Sequence, residues 1–325
     1  MSENDNMDWE DDYGASRRRL IPHIGRFGFI GLVTVIGAVA LYYLAGMVLV
    51  HRISDDIEFQ ASVPAPGASR AVAISAALIE RETDRNRWTA NDPIMLPGHL
   101  LDNMPNFQQG IIYALSRFVI EMADHIGRSR GSSEVDPDLD KAAGLLKYPG
   151  NIWIFDFSTS LAPTASSEAQ YRAARRSLLA YNDRLVSGQA IFERRADNLQ
   201  ATLERITADL GSSSAVIDQH LASPPPFIDT QADNIFYNVK GRLYGYYLLL
   251  RELGADYGKV MTDRDLSRIW GQMLDSLRSA AMLDPLVVVN GAPDGLYLPS
   301  HLAVQGFYLL RARTQLREIV NVLQK

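Results

Sequence analysis

FGFIGLVTVIGAVALYYLAGMVLV, running from Phe27 to Val50, is a stretch of 24 residues without a single charge. A helix of that length rises about 36 Å, enough to cross a hydrocarbon core of roughly 30 Å with some tilt. In lipid, only a helix or a closed barrel satisfies its own backbone groups over such a distance. A buried core helix rarely runs so far without a polar position. A cleaved signal sequence has a shorter apolar core, about 7–15 residues, and a small-residue cleavage pattern after it. His51, Arg52 and Ile53 offer no such pattern. The reading is an uncleaved transmembrane helix over 27–50, and the triple arginine upstream does not make it a twin-arginine signal.

Orientation follows from Lys and Arg alone. Arg17, Arg18, Arg19 and Arg26 precede the span, whereas Arg52 and Arg70 are the nearest that follow. This bias predicts a cytoplasmic tail over 1–26 and export of everything after the span. Within the span Gly31, Ala38 and Ala45 recur every seven residues, a small-residue stripe that permits close helix approach, and a homo-oligomer is one expectation.

The flanks are simpler. MSENDNMDWEDDY (1–13) carries six acids and too little apolar content to fold alone, so it reads as a solvated tail, with a docking motif for a cytoplasmic partner as the alternative. With only 26 residues ahead of the span, no cytoplasmic output domain is expected. Residues 51–67 contain Ala61-Ser-Val-Pro-Ala-Pro-Gly67 and read as a linker.

Residues 68–325 read as one all-α periplasmic bundle. Hydrophobic residues make up 47% of the chain and charged ones 22%, enough apolar content for a sizeable core. The net charge of -6 excludes a global basic field for nucleic acid, and the absence of cysteine excludes disulfides, thiol catalysis and Cys-ligated zinc. Helical periodicity appears over 69–86, with Val72, Ala76 and Ile79 on one face, and over 106–126, with Ile111, Leu115, Phe118, Val119, Met122 and Ile126. Between them, three prolines in 88–105 predict a loop or short turns. Asp136-Pro137 reads as an N-cap with proline at the first helical position.

The longest periodic stretch spans about 167–210. Tyr171, Leu178, Leu185, Phe192, Leu199 and Ile206 fall at steps of seven after a Ser167/Gln170 capping-box spacing. The interleaved seam weakens at Gly188, Arg195 and Thr202, so the prediction is one long helix packed within its own chain. Helices follow over 231–253, where Gly241 and Gly245 would admit a close neighbour, and from a Thr262/Asp265 capping box to about 282. Ser300 caps the last helix, with Phe307, Leu310, Ile319 and Leu323 inward. Val287–Val289 and Leu296–Leu298, around a turn-rich 290–295, suggest one small β-hairpin.

Candidate chemistry is sparse. Gly127-Arg128-Ser129-Arg130-Gly131 matches G-x-S-x-G but lacks the preceding strand that a nucleophile elbow requires. Arg128 and Arg130 at a helix end instead suggest an anion-binding turn, against an ordinary turn. Asp136, Asp138 and Asp140 alternate like calcium ligands, yet Lys141 and Lys147 stand where such a loop needs Gly and Glu. Glu121 and His125 lie one turn apart, but two ligands close no metal site, and His99, His220 and His301 add no ligand spacing. No metal and no cofactor is expected. The tyrosines at 244, 246 and 247 read as core rather than as a stacking surface.

Several stretches together resemble a known family: WTANDPIMLPGHLLDNMPNFQQGIIYALSRF (88–118), IGRSRGSSEVDPDL (126–139), SSEAQYR (166–172) and LLAYNDRLVSGQAIFERRADNL (178–199). They resemble a family of uncharacterised bacterial inner-membrane proteins, a domain of unknown function, over nearly the whole chain. The resemblance implies a Gram-negative source and a periplasmic domain, and it supplies no activity or catalytic residue. The leading expectation is a non-enzymatic envelope scaffold or binding protein, with the lipid bilayer and envelope proteins as partners. The rival is an envelope hydrolase or transferase acting on lipid, glycan or peptide. Its site would unite the polar cluster Asp102, Asn103, Asn106 and Gln108 with the Arg128–Arg130 turn.

Overall fold

The apolar run folds as α1 (Ile21–Val50), and most large side chains along it are exposed from Phe27 onward. Within it, Thr34 donates its hydroxyl back to the Ile30 carbonyl at 2.9 Å, so this polar group is satisfied within the helix. The structure, a computed structural model, describes residues 21–126, 135–155, 162–222, 229–291 and 298–325. It divides into two units, 1–49 and 50–325.

The second unit is a bundle of α2 (Arg70–Glu80), α3 (Asn103–Glu121), α4 (Pro137–Leu146), α5 (Ser167–Val186), α6 (Ala196–Leu221), α7 (Thr230–Asp256), α8 (Gly258–Asp263), α9 (Ser267–Ala281) and α10 (His301–Leu323). No strand occurs among the described residues. α2 and α3 each run on into a π turn, Arg81–Arg85 and Met122–Ile126. α7 is the axis. It is buried along most of its length and packs against α2, α3 and α9.

The α3–α7 crossing depends on two glycines. A Cβ on Gly110 would lie 2.2 Å from the Asn238 carbonyl oxygen, and one on Gly241 would lie 2.1 Å from that of Phe107. Backbone therefore meets backbone here, which only glycine permits. Gly245 continues the contact beside Ala114 and Ile111, as its spacing from Gly241 anticipates.

Residues 51–67, expected as a linker, belong to the bundle unit and are tied to it. An extended segment has no helix to absorb its carbonyls, so side chains of α7 supply the donors. Tyr244 Oη donates to the Asp56 carbonyl at 2.7 Å, and Arg251 donates to those of Ile57 (2.7 Å) and Phe59 (2.6 Å). Lys240, with no exposed side-chain surface, places Nζ 2.6 Å from Asp55 Oδ2 and 2.8 Å from the Leu283 carbonyl. Just beyond this strap, Ser69 caps α2, and the Asp256 carboxylate at the end of α7 accepts from the Ser69 hydroxyl and the Arg70 and Ala71 amides. A carboxylate at a helix N-terminus meets both unpaired N–H groups and the favourable end of the dipole.

The predicted single helix over 167–210 is two helices. α5 ends at Val186 in a Schellman motif: Gly188, at φ +72°, donates to the Leu185 carbonyl, and Gln189 donates to that of Arg184. Residues 187–195 form a loop before α6. All six heptad positions are nonetheless buried, Phe192 from the loop.

Other expectations change as well. Ser167 is not a capping residue: its Oγ accepts from the Ile152 amide and donates to the Pro149 carbonyl, while Ser166 occupies the N-cap without a side-chain bond. Thr262 bonds back to Gly258, Asp265 adopts φ +50°, and α9 starts after Leu266, so no capping box forms there. On α10, Ile319 and Leu323 are buried, but Phe307 and Leu310 are exposed; Leu309 and Leu316 face inward instead. The Asp136 cap of α4 and the Ser300 cap of α10 form as read. Of the suggested hairpin the described residues contain a single bridge between Asn290 and Ser300, and 292–297 lie outside them.

Candidate functional site

Three helices meet around a groove of ≈ 210 Å³. α3 contributes Asn106, α6 contributes Ser213, and α7 contributes Asn234, Asn238 and Arg242. The three α7 residues stand four apart, so one helical turn separates each from the next and all lie on one face. Val216, Ile235 and Val239 form the apolar wall.

The amides are partly engaged with one another. Asn106 Nδ2 donates to Asn234 Oδ1 at 2.8 Å and to the Asp102 carbonyl at 3.0 Å, and Asn238 Nδ2 approaches the Asn106 carbonyl at 3.4 Å. Arg242 is the odd member. Its guanidinium lies 3.9 Å from the centroid of the Tyr113 ring, and Nη1 donates to Ser213 Oγ at 3.3 Å. Its Nε is buried and has no acceptor. No carboxylate pairs with it among the described residues. Burial lowers its pKa from the ordinary value, and Tyr113, Tyr246 and Asp209 do not fully offset that.

Asp209, the nearest acid, is committed elsewhere. It accepts from Arg117 Nε at 3.2 Å, from Tyr246 Oη at 3.0 Å and from Tyr113 Oη at 3.4 Å. The buried seam between α3, α6 and α7 is thus closed by one full ion pair and leaves a second cation facing the groove unpaired.

Only part of the predicted polar cluster assembles. Asp102 accepts from the adjacent Asn103 amide at the start of α3. The Asn103 side chain, with its nitrogen toward the acids, donates to Asp233 Oδ2 at 2.7 Å and Asp102 Oδ1 at 3.3 Å. Burial, and then the Asp102 charge, raise the Asp233 pKa to about 6. Asn106 reaches the groove. Gln108 does not: it is fully buried elsewhere, accepting from Thr89 and donating to the Arg87 carbonyl and to Glu82. It thereby joins a network in which Arg81 is paired with Glu82 and Tyr244. Burial would lower the Arg81 pKa, but these two partners outweigh it and raise it. The 127–131 motif, with Arg128 and Arg130, lies outside the described residues.

Asp136 and Asp138 accept from Arg184 and serve to cap and anchor α4, in keeping with a structural role. Glu121 and His125 stand 3.6 Å apart with Arg205 also on Glu121, and no third ligand joins them; no cluster of three metal-binding side chains exists among the described residues. Sequence reasoning missed Arg242, Asn234, Asn238 and Ser213. The available signal was the Asn234-Asn238-Arg242 stripe at steps of four on a helix otherwise rich in large apolar residues.

No curated protein matches this chain, and no solved structure does. A family model does match, over residues 55–223, which takes in most of the strap and all of α2 to α6. That is half of the chain, less than the nearly full span the quoted stretches suggest, and it is enough to place the chain in DUF2333, a family of uncharacterized proteins conserved in bacteria.

Proposed function

We propose that this chain is a single-pass protein of a bacterial inner membrane, with its N-terminus in the cytoplasm and its helical unit in the periplasm serving as a non-enzymatic binding or scaffolding module. One observation carries the membrane part: a helical stretch of 24 uncharged, largely apolar residues, Phe27–Val50, none of it buried. Side chains such as Phe27, Leu41 and Leu49 are each at least two-thirds exposed, and lipid is the solvent that suits them. The arginine bias ahead of the span supports the orientation. The unpaired groove between α3, α6 and α7 supports binding rather than a purely structural role.

The test is fractionation of cells making the full chain with alkaline phosphatase fused behind Lys325. The expected result is an unprocessed product that resists carbonate extraction from membranes and has active phosphatase. A product shortened by about 50 residues and released as soluble protein would show a cleaved leader instead. Inactive phosphatase would reverse the orientation. In-cell crosslinking followed by purification should yield discrete envelope adducts; a chain that remains uncrosslinked would refute the scaffold part.

A further inference from the structure

We infer that the groove between α3, α6 and α7 is a binding site for a monocarboxylate carried on a short aliphatic group. The inference rests on the binding-module reading only in giving that module a ligand, and it is independent of where the module resides.

The argument begins with charge. Arginine stays protonated in proteins, so the half-sheltered Arg242 brings one permanent positive charge to the groove. Other arginines here also bury a nitrogen without an acceptor, but Arg81 and Arg175 each have a glutamate partner, and Arg313 lies over Gly211 outside the groove. Of these four described arginines, Arg242 lines the groove and has no carboxylate partner. Its Nη1 donates to Ser213 and its face lies on Tyr113, and neither partner supplies a negative charge. The planar fork of a guanidinium matches a carboxylate.

The remaining lining narrows the class. Asn106, Asn234 and Asn238 are neutral, so the site balances one negative charge and not two. Asn234 Oδ1 accepts from Asn106, and its Nδ2, without an acceptor among the described residues, is a donor for an incoming oxygen. Val216, Ile235 and Val239 favour a hydrocarbon body beside the charged head. The cavity, ≈ 210 Å³, falls below the roughly 300–1,000 Å³ usual for drug-sized ligands and suits a group of a few carbons. A free small acid and the C-terminal residue of a peptide share this chemistry.

The experiment is a calorimetric titration of the detergent-purified full chain with isovalerate, isovaleramide, inorganic phosphate, and a short peptide ending in leucine as free acid or amide. Isovalerate should bind, while isovaleramide and phosphate bind at least tenfold more weakly. Tighter binding of the free-acid peptide than of isovalerate would identify the source as a chain terminus; equal or weaker binding would identify a free acid. Arg242→Gln should weaken isovalerate binding roughly 10–100-fold, the loss expected for one charged hydrogen-bonded contact. Asn238→Leu narrows the groove without touching the charge and should weaken isovalerate binding at least tenfold as well. Melting curves without ligand provide the structural control: Arg242→Gln should melt no lower than the parent, because an unpaired buried charge is removed. No saturable binding of isovalerate at millimolar concentration, equal binding of the amide, or unchanged affinity in both variants would each overturn the proposal. So would a marked fall in ligand-free melting temperature for Arg242→Gln, which would make the arginine a structural residue.

Discussion

Gly241→Ala tests the central crossing of the bundle. The new methyl would sit 2.1 Å from the Phe107 carbonyl oxygen, where ordinary contact begins at 3.4 Å, so α3 and α7 must part by 3.4 − 2.1 = 1.3 Å. The obstacle is backbone and cannot rotate away. A gap of even 0.5–1 Å forfeits roughly a quarter to a half of each dispersion contact along the seam. Overpacking of this kind costs about 1–3 kcal/mol, and a rigid backbone obstacle belongs at the upper end. Alanine returns about 0.5–1 kcal/mol through helix propensity. The net is a loss of about 2 kcal/mol, or roughly 4–8 °C in melting temperature for a unit of this size. Gly144→Ala is the matched control: Gly144 lies inside α4, exposed, with nothing within 4 Å of the added carbon. It should gain about 0.5–1 kcal/mol. Thermal and urea melts followed by far-ultraviolet circular dichroism, on the full chain in detergent, measure both. If Gly241→Ala melts at or above the parent, the helices do not meet backbone to backbone and the fold argument fails.

Asp55→Asn removes the nearer carboxylate of Lys240, which has no exposed surface and keeps only the exposed Asp284 at 3.7 Å, and should destabilise by about 1–3 kcal/mol and open residues 51–60 to protease; Lys240→Met should recover most of that stability, and equal loss in both variants would contradict the pairing. The Asp233 carboxyl is raised from 3.8 to about 6, so the folded chain holds a proton that the unfolded chain releases. Its stabilising contribution is full below the unfolded value and is lost as pH rises through the folded one, so Asp233→Asn should flatten the fall in stability between pH 3.8 and 6 and melt higher than the parent above pH 6. A variant that melts lower at all pH values would refute this. Gly188→Ala, at φ +72° with open space around it, should lose about 1–2 kcal/mol from backbone strain alone, read in the same melts; no loss would mean the α5 terminus is not left-handed.

Much of the helical fold was legible because it rests on periodicity. The faces of α2 and α3 are buried where Val72, Ile79, Ile111, Phe118 and Met122 placed them. The α5–α6 break shows where that signal misleads. Steps of seven continue through Leu185, Phe192 and Leu199 because both helices and the loop between them face one core, and a repeat of buried positions does not require a continuous helix. Gly188, already a weak point in the seam, carried the stop signal. The failed capping boxes at Ser167 and Thr262 have a common cause: local spacing shows which bonds are geometrically near, while a distant or preceding carbonyl claimed each hydroxyl. The site was legible only at Asn106. Whether a buried arginine has a counter-ion depends on three helices meeting, and nothing adjacent to Arg242 in sequence indicates that Asp209 is already taken.

The two polar faces of α7 allow structural and functional burial to be told apart. At about 100° per residue, Lys240, Tyr244 and Arg251 fall within roughly 40° of one another, while Asn238 and Arg242 lie about 160–200° around the helix from Lys240. On the first face every group is answered: Lys240 by Asp55 and the Leu283 carbonyl, Tyr244 by Asp56, Arg251 by the carbonyls of Ile57 and Phe59. These side chains fasten the strap, and their burial is complete without a ligand. On the second face the guanidinium of Arg242 has a hydroxyl and an aromatic ring but no carboxylate, and a cavity opens beside it. A charge sheltered without a partner lowers stability, so a sequence that needed only a stable bundle would gain by placing an apolar residue there. The same helix therefore holds a polar face that folding explains and one that folding alone does not, and the second is where a bound anion would restore the balance.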